Sequence, residues 1–108
     1  MSPSQLEIKV RALQRLVKEE GYYQQELKDQ TAHVEKLKKD KDVDPYDLKK
    51  QEEVQQDTEK LLPTMYKKIA EFKENLEEYI KSYQGNEELQ DAQTAIKKAD
   101  EVLKENGR

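Results

Sequence analysis

The stretch Leu62-Pro63-Thr64-Met65-Tyr66-Lys67-Lys68-Ile69-Ala70-Glu71-Phe72-Lys73-Glu74-Asn75-Leu76-Glu77-Glu78-Tyr79-Ile80-Lys81-Ser82-Tyr83 decides the fold class. Apolar side chains stand at Leu62, Met65, Ile69, Phe72, Leu76, Tyr79 or Ile80, and Tyr83, three or four residues apart throughout. A half-buried strand would show them at every second residue. Steps of three and four keep them on one side of a helical cylinder, so the segment is a helix whose single apolar stripe must lie against other helices. Pro63 falls inside it, where proline removes a backbone donor and crowds the preceding turn at about 3 kcal/mol, so a kink near Pro63 is expected. The start of this helix is written in Asp44-Pro45-Tyr46-Asp47: Asp44 can cap, Pro45 suits the first helical position, and Asp47 sits in the first turn. Between cap and seam the apolar positions are sparse, at Leu48, Val54 and Leu61.

Two further helices flank it. Toward the N-terminus, Ser2-Pro3-Ser4-Gln5 reads as a capping box with Ser2 as cap, and Leu6, Val10, Leu13 and Val17 follow at 4-3-4 spacing, resuming with Leu27, Val34 and Leu37. Gly21 weakens the middle by about 1 kcal/mol of helix propensity, and Glu20 and Gln24 occupy seam positions. Toward the C-terminus, Gly85 reads as a helix stop and Asn86 as the next cap. Leu89, Ala92, Ile96, Ala99 and Leu103 then form a third stripe, closed by Asn106-Gly107. The expectation is an all-α domain over residues 1–108, with helices at approximately 3–40, 45–84 and 87–106. Short connections make it an elongated up-down-up antiparallel three-helix bundle with left-handed coiled-coil packing and a shorter third helix. The first two helices should each run about 55 Å and the third about 30 Å. The rod therefore divides into a three-helix half and a two-helix half, joined near the level of Gly21 and Pro63. The polar seam residues Glu20, Gln24, Gln51 and Gln55 fit the wetter two-helix half and its junction.

Composition agrees with a slender shape. Of 108 residues, 33% are hydrophobic and 41% charged, against roughly 45–50% and about 25% in ordinary domains. Cysteine is absent, which removes disulfides and thiolate chemistry and is compatible with a reducing compartment. No apolar run reaches the roughly 20 residues needed to span a bilayer, and a soluble, intracellular protein is expected.

Catalytic and metal signals are weak. Asp40-x-Asp42-x-Asp44 imitates the start of a calcium loop, but Pro45 stands where a turning glycine is needed and Gln51 where a bidentate carboxylate is needed. A di-metal bundle needs Glu-x-x-His pairs, and the lone His33 is preceded at that spacing by Gln30. Acid–base catalysis needs carboxylates in a dry pocket, which a thin bundle does not provide. No enzyme activity, cofactor or metal is expected. Basic and acidic residues number 8 and 7 in residues 3–40, 7 and 9 in 45–84, and 4 and 6 in 86–108. No segment is a basic stripe, so neither nucleic acid nor a membrane surface is an expected partner.

Protein binding remains. Six tyrosines without a tryptophan, with Tyr22, Tyr23, Tyr46 and Tyr66 hard to fit into one seam, point to amphipathic anchors on a mixed-charge face. Arg15-Leu16-Val17-Lys18-Glu19, then Tyr23 with Glu26, then Tyr46-Asp47-Leu48-Lys49-Lys50-Gln51-x-Glu53-Val54, and the in-helix Pro63 together resemble the tubulin-binding cofactor A family, the fungal members most of all. The resemblance extends over nearly the whole chain. It implies a tubulin-folding chaperone that binds and stabilises β-tubulin after the chaperonin, on the way to the αβ-heterodimer, without nucleotide or metal. Other tubulin-folding cofactors are further partners it suggests, and it implies a cytoplasmic, cytoskeleton-associated location. Carried over residue by residue, it marks Lys18, Glu19, Tyr23, Tyr46, Asp47, Lys49, Lys50 and Gln51 as the partner-binding positions. The sequence departs from the family at Gln55, where an apolar residue is usual, so the distal hairpin should pack less tightly. The rival reading is a generic coiled-coil adaptor or scaffold, against which stand the short third helix and Pro63. A homodimer through the thin half is an open alternative to a monomer.

Overall fold

The computed structural model describes residues 2–106. Among them are three helices, α1 (Gln5–Lys39), α2 (Pro45–Lys81) and α3 (Gln90–Glu105), and no strand. Cross-helix hydrogen bonds fix their directions. Lys9 reaches Asn75, Glu20 meets Tyr66, and Thr31 meets Gln55, so α2 runs antiparallel to α1. The Lys73–Asp100 ion pair ties α2 to α3. The rod measures 65 × 32 × 17 Å. With 35, 37 and 16 residues, α1 and α2 extend about 52–55 Å and α3 only about 24 Å, which produces the unequal halves.

The three-helix half holds the main core: Leu6, Val10 and Leu13 of α1, Leu62, Tyr66, Ile69 and Leu76 of α2, and Ala92, Ala95, Ala99 and Leu103 of α3. Three alanines on the inner face let α3 approach closely. Leu13, Ile69 and Leu76 are the largest fully enclosed side chains, each contributing about 1.5–3 kcal/mol by burial. The two-helix half is thinner and more polar. Val34 is buried there, Leu27, Leu37 and Leu48 are partly covered, and Gln55 Nε2 donates to Thr31 Oγ1 at 2.9 Å across the hairpin. Val54 and Leu61 are exposed rather than in the seam. Continuing the 3-4 spacing back from Leu62 leads to Thr58, Gln55, Gln51 and Leu48, and Val54 and Leu61 lie to one side of that stripe, about 100° around the cylinder from Gln55 and Leu62 respectively.

The halves meet at a buried polar network. Tyr66 Oη donates to Glu20 Oε2 at 2.7 Å and accepts from Gln24 Nε2 at 2.5 Å. Gln24 Nε2 also donates to Asn106 Oδ1 at 3.1 Å, and Asn106 Nδ2 donates to the Val102 carbonyl. The end of α3 is thus fastened to α1 and α2 within about a turn of Gly21 and Pro63. Below it the seam loses its third member: Gln55 bonds Thr31 across the hairpin and Thr58 Oγ1 donates to the Val54 carbonyl, whereas Gln30 Oε1 is buried without a hydrogen-bond partner.

Helix ends depart from the sequence reading in three places. α2 stops at Lys81 with Ser82 as its C-cap, short of Gly85. Ser4, not Ser2, caps α1: its Oγ accepts the Glu7 N–H at 3.2 Å, using a Ser-x-x-Glu box two residues further on, and donates to Glu87 Oε2 at 2.9 Å. Asn86 does not cap α3, which begins only at Gln90 without a side-chain cap. Tyr83 explains the delay. Its ring packs tilted against Tyr79, centroids 5.8 Å apart, and lies against Gly85 where a Cβ would collide with it, and its hydroxyl accepts the Glu87 N–H. The chain must clear that ring before it can coil again. Asp44 does cap α2, accepting the Tyr46 N–H at 2.9 Å with Pro45 in the first turn. Pro63 is exposed within a continuous α2, so the Glu59 carbonyl it deprives of a donor lies on a water-facing side. Gly107, part of the expected stop, lies outside the described residues.

Candidate partner-binding surface

The eight positions marked in the sequence fall into two separate places. Tyr46, Asp47, Lys49, Lys50 and Gln51 occupy the first two turns of α2, at the tip of the two-helix half. The Asp44 cap starts the helix and so sets their directions. Tyr46 is 68% exposed, and the Lys50 ammonium stands 5.9 Å from its ring centre. Tyr46, Lys49, Lys50 and Glu53 line a shallow groove. Asp47 complements the helix N-terminus and stays in water. Gln51 is half-buried in the hairpin seam, so part of its role is structural.

Lys18, Glu19 and Tyr23 belong to the middle of α1. Judged from the Glu20–Tyr66 and Thr31–Gln55 pairings, roughly 25 Å of rod separates Tyr23 from the level of Tyr46. Lys18 leans over the exposed Tyr22 ring at 6.0 Å, and Glu19 pairs with Arg15 at 3.4 Å. Tyr23 is half-buried against the core. The two groups cannot form one pocket. They can form two contacts of an extended surface, each with a tyrosine beside a lysine, the amphipathic combination favoured at protein interfaces.

Sequence reasoning did not single out several residues of this surface. Of the four tyrosines read as anchors, Tyr22 carries the exposure that Tyr23 lacks, and Tyr66 is not on the surface at all but buried in the core. Phe72, assigned to the seam by spacing, is 42% exposed, and Ile8 is 47% exposed. Ile8 lies two residues after Leu6, at an angle that the stripe already predicted to be outside the core, so the signal for it was present. Buried Glu20 was placed in the seam correctly, but its partner Tyr66 depends on tertiary register.

The described residues contain no group of three or more histidine, cysteine or acidic side chains placed to hold a metal ion, and His33 is exposed on α1. Among the described residues no helix is long and apolar enough to cross a membrane. Lys73, between α2 and α3, is held above its ordinary value by its 2.5 Å hydrogen bond to Asp100. Burial opposes the shift, while the Asp100 and Glu77 charges add to it. That cluster braces α3 against α2.

A family model described as tubulin binding cofactor A matches residues 1–103. The chain is 69% identical over 103 residues to the tubulin-specific chaperone A of Saccharomyces cerevisiae, covering 95% of this chain and 97% of that protein. It is 30% identical over 91 residues to the human tubulin-specific chaperone A, covering 84% and 83%. Among solved structures it resembles RBL2P, described as a β-tubulin binding post-chaperonin cofactor, with a TM-score of 0.87 and 68% identity over 94% of this chain and 99% of that one.

Proposed function

The chain belongs to the tubulin binding cofactor A family, and from that premise we infer that it is a tubulin-folding cofactor, a chaperone that binds and stabilises β-tubulin on the post-chaperonin route to the αβ-heterodimer. The observation that carries this reading is the match of sequence and fold, nearly end to end, to a β-tubulin binding post-chaperonin cofactor. A rod with the same three helices offers the same lateral faces to the same client.

The physical mechanism is capture by mass action. A protein that binds one state of its client stabilises that state by RT ln(1 + [L]/Kd), about 2.7 kcal/mol at a hundredfold excess over Kd, with no energy source. The reading assigns no catalytic step, nucleotide or metal, and places the protein in the cytoplasm with its client. Lys18, Glu19 and Tyr23 in mid-rod and Tyr46, Asp47, Lys49, Lys50 and Gln51 at the tip contribute contacts, the exposed Tyr46–Lys50 pair foremost among the tip residues. Binding of purified β-tubulin, with α-tubulin as control and over a salt series, tests the function. Retention of β-tubulin but not α-tubulin supports it, and equal retention of both, or of neither, refutes it. Unchanged binding after Tyr46→Ala and Lys50→Ala removes the tip from the interface.

A further inference from the structure

The long hairpin and the short helix are held by different sets of bonds. Lys9–Asn75, Glu20–Tyr66 and Thr31–Gln55 join α1 to α2 at successive levels of the rod without using α3. α3 and its approach are tied down by Ser4 to Glu87 ahead of the first turn, Lys73 to Asp100 past the middle, and Gln24 to Asn106 at the end. In each of these links the hairpin residue has a second partner on the hairpin itself. Ser4 Oγ accepts the Glu7 N–H, the Lys73 ammonium lies 3.5 Å from Glu77, and Gln24 also donates to Tyr66, which in turn serves the buried Glu20. On the other side, Asn106 Nδ2 donates to the Val102 carbonyl of its own helix, Glu87 is exposed, and the Asp100 side chain is 43% exposed. Letting α3 go therefore strands no buried charge, and the polar junction around Glu20 stays closed.

The apolar grip on α3 is also the weakest in the bundle. Its buried residues are Ala92, Ala95, Ala99 and Leu103, and Ile96 and Val102 are only partly covered. Apolar stabilisation grows with the area taken from water, so a face of alanines holds less firmly than the leucine, isoleucine and valine side chains through which α1 and α2 meet. The start of α3 has no side-chain cap, and residues 84–88 of the connection before it are exposed. At 16 residues the helix is close to the length at which an isolated helix is marginal in water, so it depends on its packing to stay coiled.

We propose that α3 is a detachable strap: it leaves the hairpin and melts as one unit while α1 and α2 stay paired, baring the hairpin face that packs on Ala92, Ala95 and Ala99. The device belongs to the protein alone and does not depend on β-tubulin being its client. Native-state hydrogen exchange of the full chain, read by mass spectrometry from zero to subdenaturing urea, tests it. Amides of residues 92–105 should exchange through an opening at least about tenfold more populated than the one that frees residues 10–17 of α1 and 65–76 of α2. That opening should also respond less steeply to urea, because it exposes less surface. Val34→Ala provides an independent reading. Val34 is buried in the two-helix half, beyond the reach of α3, and stays buried whether the strap is on or off. The variant should speed exchange of the α1 and α2 amides around it by about tenfold or more and leave the α3 amides within about twofold of the original rate. One opening constant and one urea slope shared by all three helices overturn the strap, as does a Val34→Ala effect on α3 equal to that on the hairpin.

Discussion

Replacing Tyr66 by Phe isolates the joint between the two halves of the rod. The substitution keeps the ring that packs among Leu62, Ile69 and the α3 alanines and removes the hydroxyl alone. That hydroxyl donates to Glu20 at 2.7 Å and accepts from Gln24 at 2.5 Å, and Glu20 is only 5% exposed. Hydrogen bonds to charged groups contribute about 1.5–3 kcal/mol, and stranding a buried carboxylate from its donor places the cost in the upper part of that range. A loss of about 2–3 kcal/mol is expected, which for about a hundred residues lowers the unfolding temperature by roughly 10–20 °C. Glu20→Leu combined with Tyr66→Phe removes both partners and should recover most of the loss, because the cost lies in the unpaired charge more than in the missing bond. Urea and thermal unfolding of the wild type, the two single variants and the double variant give the coupling energy directly. A Tyr66→Phe variant within about 0.5 kcal/mol of wild type, or a double variant no more stable than Tyr66→Phe, would refute the assignment of this network as the joint.

Gly21→Ala should stabilise the protein by about 0.5–1 kcal/mol, since the residue is mid-helix and exposed and an added Cβ meets nothing within 4 Å; an unfolding temperature unchanged or lowered would count against the helical geometry there. Gly85→Ala should destabilise it, because the new methyl would collide with the Tyr83 ring, and Tyr83→Ala in the same background should relieve that clash, as thermal unfolding of both would show. Lys73 is held above its ordinary 10.5 by Asp100, so its contribution to stability is complete below that value and fades as pH rises through the folded-state value. The stability gap between wild type and Lys73→Met should therefore be flat from neutral pH to about 10 and narrow above it; a gap that widens in alkali would contradict the pairing.

The functional surface was partly legible in the chain. Tyr46, Lys49 and Lys50 follow a cap and a first-turn proline, so their exposure at a helix start could be anticipated. The exposure of Phe72 could not, because this residue obeys the seam spacing as faithfully as Leu76 does. What separates them is the position of α3, which covers Leu76 completely and leaves the Phe72 side of α2 open.

That contrast marks the boundary between the two sources of information. Periods of three and four, the Asp44-Pro45 start and the unequal spans of the three stripes were enough to specify helices, their number and a rod with a thick and a thin half, because each depends on neighbours within a turn or two. The fastening of Asn106 to Gln24, the burial of Glu20 under Tyr66 and the Ser4–Glu87 link depend on residues many positions apart. Periodicity fixes a side chain's angle about its own helix axis. Only packing decides which of those angles another helix covers and which is left to meet a partner.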